Sequence, residues 1–201
     1  AYVEKGLSAI PPEALEKKKS VYLLDLTSNK FEFFPLDVIF FKNLKILRLD
    51  HNRLKTIPSG LHHLSNLQIL SLSYNLLQTL PTSLSKLNSL IELNLEFNLL
   101  HSFGSELTDL KDLKILNISK NRFTYLPNPF YNLVSLEDFC FEWFRYANPP
   151  LPARQKGNEG EVKIHRIREY CKISGSNNQK GIGFISFLEI VSGRQVDLQK
   201  A

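Results

Sequence analysis

The chain has 201 residues, 43% of them hydrophobic, which suffices for one well-formed elongated domain and argues against a disordered composition. Its net charge of +5 sits mainly after residue 149, where nine Lys/Arg face five Asp/Glu; a basic patch of this size reads as solvated surface, so no nucleic-acid partner is expected. No apolar run approaches the ~20 residues of a membrane-spanning helix, and the two cysteines, Cys140 and Cys171, give no disulfide framework, so a cytoplasmic home is expected.

Asn29, Asn52, Asn75, Asn98 and Asn121 stand 23 residues apart without a slip. Around Asn52 the chain reads Leu44-x-x-Leu47-x-Leu49-x-x-Asn52-x-Leu54-x-x-Ile57-Pro58. Around Asn75 it reads Leu67-x-x-Leu70-x-Leu72-x-x-Asn75-x-Leu77-x-x-Leu80-Pro81. Each repeat is one unit that cannot bury its own apolar face, so neighbours must stack. The Leu-x-Leu segment predicts a short strand. Its alternation sends Leu70 and Leu72 inward and leaves Ser71 and Ser73 outward. The asparagine follows the strand, where the chain turns in. Its amide has two donors and an acceptor, so it can pair with backbone groups of its own and the neighbouring turn, forming a ladder.

Pro35, Pro58, Pro81 and Pro127 lie six residues after an asparagine, and Gly104 takes that place in the fourth repeat. Proline fixes φ and stops a strand from continuing. Phe41, Leu64, Leu87, Leu110 and Leu133, twelve residues after each asparagine, are expected to plug the convex side. Asn43, Asn66, Ser89, Asp112 and Ser135 then precede each next strand.

This is the pattern of a leucine-rich repeat solenoid. The expected fold class is α/β: a curved right-handed horseshoe with a parallel concave sheet and a helical C-terminal cap. Residues 1–149 form the repeat domain, of about six repeats with the first partial, and residues 150–201 form the cap or a linker to a further region. The Leu-Pro-x-x-Leu-x-x-Leu ending resembles the cytoplasmic 23-residue class found in Ras-pathway and plant Ras-group leucine-rich repeat proteins. That resemblance covers roughly residues 2–149 and implies a small GTPase or another signalling protein as partner.

At the N-terminal end, Lys5 takes the asparagine place, and Lys5 to Asn29 is 24 residues. At the other end, Phe144 takes that place and cannot continue an amide ladder. Phe139, Phe141, Trp143, Phe144 and Tyr146 predict an aromatic lid. Val162, Ile164, Ile167, Tyr170 and Cys171 fall roughly at helical spacing, which predicts a helix over residues 161–173 and a second over 184–191.

The outward strand positions form columns. One is Asp25, Arg48, Ser71, Asn94, Asn117, Cys140; the next is Thr27, Asp50, Ser73, Glu96, Ser119, Glu142. Just before the asparagines come Ser28, His51, Tyr74, Phe97, Lys120 and Trp143, and at the strand start Leu23, Ile46, Ile69, Glu92, Ile115 and Asp138. Aromatics ringed by charge match the composition of protein-binding hot spots. The expected partner-binding residues are therefore Arg48, Asp50, Tyr74, Asn94, Glu96, Phe97, Asn117, Lys120, Glu142 and Trp143. The bland alternative is that the aromatics shield the ladder edge and the carboxylates are ordinary surface.

No phosphate loop, nucleophile elbow or zinc spacing is present, and His62-His63 reads as loop surface. The expectation is a monomeric, non-catalytic module without cofactor or metal that binds a protein on its concave face, in intracellular signalling. The competing reading is a targeting or regulatory module of a larger enzyme or ankyrin-containing protein.

Overall fold

The computed structural model describes residues 1–123, 133–141 and 166–169, with Phe141 and residues 166–169 described by their backbone alone. Seven strands form one sheet in the order of the chain. They are β1 (Leu23–Asp25), β2 (Ile46–Arg48), β3 (Ile69–Ser71), β4 (Glu92–Asn94), β5 (Ile115–Asn117), β6 (Asp138–Phe141) and β7 (Arg166–Glu169). Every pairing is parallel. The registers join Asp25, Arg48, Ser71, Asn94, Asn117 and Cys140 in one row, as the 23-residue spacing requires.

Between strands the chain returns through short turns on the convex side. These are α1 (Pro12–Glu16), three 3-10 turns (Leu36–Phe40, Ser59–His63, Thr82–Lys86) and α2 (Ser105–Thr108). Pro35, Pro58 and Pro81 precede the 3-10 turns in extended conformation. Where Gly104 replaces proline, the return segment is an α-turn instead. Phe41, Leu64, Leu87, Leu110 and Leu133 are all buried, as the plug positions require.

The core is a continuous column of repeat leucines. Leu47, Leu49, Leu70, Leu72, Leu93 and Leu95 are each 0% exposed. The asparagine ladder runs beside it. The Nδ2 of Asn52 donates to the carbonyls of Leu26, Leu49 and Asp50, while its Oδ1 accepts from Phe31 N–H at 3.1 Å. Asn75, Asn98 and Asn121 repeat this set. At the N-terminal end, Asn29 Oδ1 accepts from both Lys5 N–H and Leu7 N–H. A second ladder occupies the opposite corner. The side chains of Asn43, Asn66 and Ser89 donate to the carbonyls of Lys19, Lys42 and Ser65.

Two expectations need correction. The helix expected over residues 161–173 gives way to a strand at Arg166–Glu169, paired with β6 from Asp138↔Arg166 to Phe141↔Glu169. The physical reason is the edge. A parallel strand with a free edge offers unpaired N–H and C=O groups, and Arg-Ile-Arg-Glu alternates as a strand does. The rest of that segment, the helix expected over 184–191 and the aromatic lid from Trp143 onward lie outside the described residues. Secondly, Ser71 and Ser73, expected on the open face, are only 8% and 7% exposed. The alternation itself holds, because Leu70 and Leu72 are fully buried. Both serines are small and are drawn against the sheet by the carboxylate of Asp50.

Candidate interaction surface

The residue before each asparagine, and before Lys5 in the first repeat, adopts a left-handed backbone. Glu4, Ser28, His51, Tyr74, Phe97 and Lys120 have φ between 51° and 56°. For a residue with a Cβ this conformation costs roughly 1–2 kcal/mol relative to the right-handed region. The recurrence shows that the repeat itself demands it. Ser28, His51, Tyr74 and Phe97 each lie three residues past the end of a strand, beside the asparagine that turns inward, and their N–H groups still reach the next repeat: His51 N–H donates to Ser73 and Tyr74 N–H to Glu96, both at 2.9 Å. Glycine would fill the place with least strain, yet three successive repeats place rings there.

Those rings stack. His51 lies on Tyr74 with centroids 4.2 Å apart and planes 14° from parallel. Tyr74 lies on Phe97 at 4.3 Å with the same 14°. Each pair contributes about 0.5–1.5 kcal/mol beyond its buried area. Tyr74 and Phe97 remain 41% and 38% exposed, so the stack supports the repeat junctions and still presents its edges to solvent.

Beside this wall the concave floor is polar and tied together. Asp50 Oδ1 accepts from Ser71 Oγ at 2.5 Å, Ser73 Oγ at 2.6 Å and Ser73 N–H at 2.8 Å. Glu96 accepts from Asn117 Nδ2 at 3.2 Å, and Asn117 Oδ1 accepts from the Ser119 N–H and hydroxyl. Asn94 Oδ1 accepts from Glu96 N–H at 3.0 Å. Arg48 leans toward Asp25, at 3.9 Å. On the far side of the floor, the strand starts contribute Ile46, Ile69 and Glu92, all half-buried. Away from this surface, an exposed pair joins Lys114 Nζ to Glu137 at 2.8 Å; that hydrogen bond, then the carboxylate charge, raises the ammonium pKa above its ordinary value.

Of the residues expected to bind, Arg48, Asp50, Tyr74, Asn94, Glu96, Phe97, Asn117 and Lys120 share one face across four repeats. Glu142 and Trp143 lie outside the described residues. Sequence reasoning left out His51, which the fixed spacing already placed in the aromatic column, and gave Ser71 and Ser73 no role in holding Asp50. A second exposed surface lies on the convex side. Phe33, Leu36 and Phe40 are 82%, 61% and 51% exposed, where the next three repeats carry Thr, Ser, His, Lys or Asp. Lys18 Nζ sits 5.6 Å from the Phe40 ring centroid.

Residues 42–100 match a family model described as leucine rich repeat, and residues 112–133 match a second leucine rich repeat model. The stack is a leucine-rich repeat solenoid. Similar solved structures include a leucine-rich repeat protein of Leptospira interrogans, 32% identical, with a TM-score of 0.63, covering 67% of this chain and 34% of that one. The ectodomain of the Arabidopsis thaliana membrane receptor kinase GASSHO1/SCHENGEN3, solved in complex with CASPARIAN STRIP INTEGRITY FACTOR 2, is also 32% identical, with a TM-score of 0.58 and coverage of 68% and 17%. Internalin C2 of Listeria monocytogenes shares the fold, at 23% identity, a TM-score of 0.62 and coverage of 70% and 59%. The chain thus spans about a third, a sixth and three fifths of these three structures. No curated protein matches it.

Proposed function

We propose that this leucine-rich repeat chain is a non-catalytic module that binds a protein partner on its concave face. The carrying observation is the His51–Tyr74–Phe97 stack, which leaves large aromatic edges exposed on a rigid sheet beside Asp50 and Glu96. Rigid aromatics supply contact area with little loss of side-chain freedom, and neighbouring carboxylates select a basic partner. The leucine-rich repeat fold typically serves protein interaction. Resemblance to the cytoplasmic class of Ras-pathway repeat proteins supports a small GTPase or other signalling protein as partner and a cytoplasmic setting.

The test is capture from source lysate by wild type, by Phe97→Ala/Glu96→Lys, and by the convex control Leu36→Ser/Phe40→Ser. The concave double variant, still folded, is expected to lose a partner that the convex variant keeps. Retention of every partner by the concave variant would move the site elsewhere. The second reading is a targeting or regulatory module of a larger protein. It is favoured by the modest share of its structural neighbours that the chain spans.

A further inference from the structure

Over β2 to β4 the concave face is a shallow trough. Its floor carries Asp50, Ser73 and Glu96, with Arg48, Ser71 and Asn94 in the adjacent row. One side is the His51–Tyr74–Phe97 stack, and the other is the strand starts Ile46, Ile69 and Glu92. Asp50 and Glu96 occupy the same column two strands apart, a separation of about 9.6 Å from the strand spacing. Each keeps capacity to accept. Asp50 engages its three donors through Oδ1, and the hydrogen bond of Glu96 uses Oε2, so Oδ2 and Oε1 carry no donor among the described residues. The serines between them are small and already committed to Asp50, so the floor between the charges is low.

We infer that this trough takes a polyproline II segment bearing two cationic side chains three residues apart, an Arg/Lys-x-x-Arg/Lys spacing, running along the solenoid axis across the strands. The argument is one of matching periods. A polyproline II chain has three residues per turn and advances about 3.1 Å per residue, so residues i and i+3 project from one edge about 9.3 Å apart. That matches the carboxylate separation. An extended β-segment places i and i+2 on one face only about 6.6 Å apart, and i and i+3 on opposite faces. The other two edges of the three-edged helix then meet the two walls, with prolyl or apolar side chains against Tyr74 on one side and Ile69 on the other. Aromatic-lined grooves are suited to such segments, which lose little freedom on docking. Arg48, held toward Asp25, and Lys120 bound the carboxylate pair at its two ends, so the recognised stretch is short.

This inference rests on the concave-face reading and narrows it to one class of segment. The test uses the full 201-residue chain and labelled synthetic peptides of one composition, proline-rich, with two arginines spaced i/i+2, i/i+3 or i/i+5. Fluorescence anisotropy at fixed ionic strength gives the dissociation constants. The i/i+3 peptide should bind at least about tenfold more tightly than the others. Glu96→Gln and Tyr74→Ala should each weaken it by about tenfold, Tyr74→Phe should retain binding, and circular dichroism should show all three variants folded. Equal affinity at every spacing, or an i/i+3 peptide indifferent to both substitutions, overturns the inference. If spacing has no effect while Phe97→Ala/Glu96→Lys still abolishes partner capture, the inference falls and the concave-face reading stands. If that variant keeps its partners, both fall.

Discussion

The Nδ2 of Asn75 donates to the carbonyl of Leu49, one repeat earlier, at 2.9 Å. The same nitrogen reaches Leu72 and Ser73 within its own turn, and Oδ1 accepts from Leu54 N–H at 3.0 Å. One amide therefore satisfies buried backbone in two repeats. Asn75→Ala strands those groups, so it should cost on the order of 1–3 kcal/mol, whereas the exposed Gln78→Ala should have little effect. Urea midpoints compare them; equal values would contradict the bonding role.

Leu72 is 0% exposed between neighbouring leucines of the same column. Its truncation to alanine leaves a cavity that flanking repeats cannot fill, and the expected loss is roughly 2–5 kcal/mol. A loss below the range would show that the stack closes over the gap.

Ser28 holds the left-handed conformation at φ 56° without any ring stacking upon it. Ser28→Gly relieves that strain and should raise stability by up to about 1 kcal/mol, offset in part by the freer unfolded chain. Phe97→Gly relieves the same strain but removes the Tyr74 contact, and it should gain less or lose outright. Thermal midpoints of the two variants decide whether the stack holds the repeats together.

Pairing of β7 on β6 covers a strand edge. A chain cut after Pro152 loses that pairing and should self-associate and melt at lower temperature. Light scattering with calorimetry reads both. A truncated chain that stays monomeric with an unchanged midpoint would count against the covering role.

Much of the fold was legible because a strict 23-residue period turns each sequence position into a place in the stack. Asn52 and Leu47 could be assigned from spacing alone, and so could the row from Asp25 to Cys140. What the spacing does not encode is how neighbours in a row interact. Ser71 reads as an outward serine, yet Asp50, 21 residues away, pulls it down. The spacing sets His51 in one column with Tyr74, but it does not say that the two rings stack. Residues 166–169 read as helix because local apolar spacing says nothing of a free edge awaiting a partner. The spacing sets Tyr74, Glu96 and Phe97 on one face, and the structure places them on one face; which partner occupies that face is a separate question.

That question has a direct measurement. A photo-crosslinking amino acid placed at Phe97 on the concave wall, and separately at Leu36 on the convex surface, reports which face a partner touches. The account predicts a crosslinked partner from position 97 that is lost when Glu96→Lys is added, with none from position 36. Crosslinks arising only from position 36 would contradict it and move the interaction to the apolar convex patch.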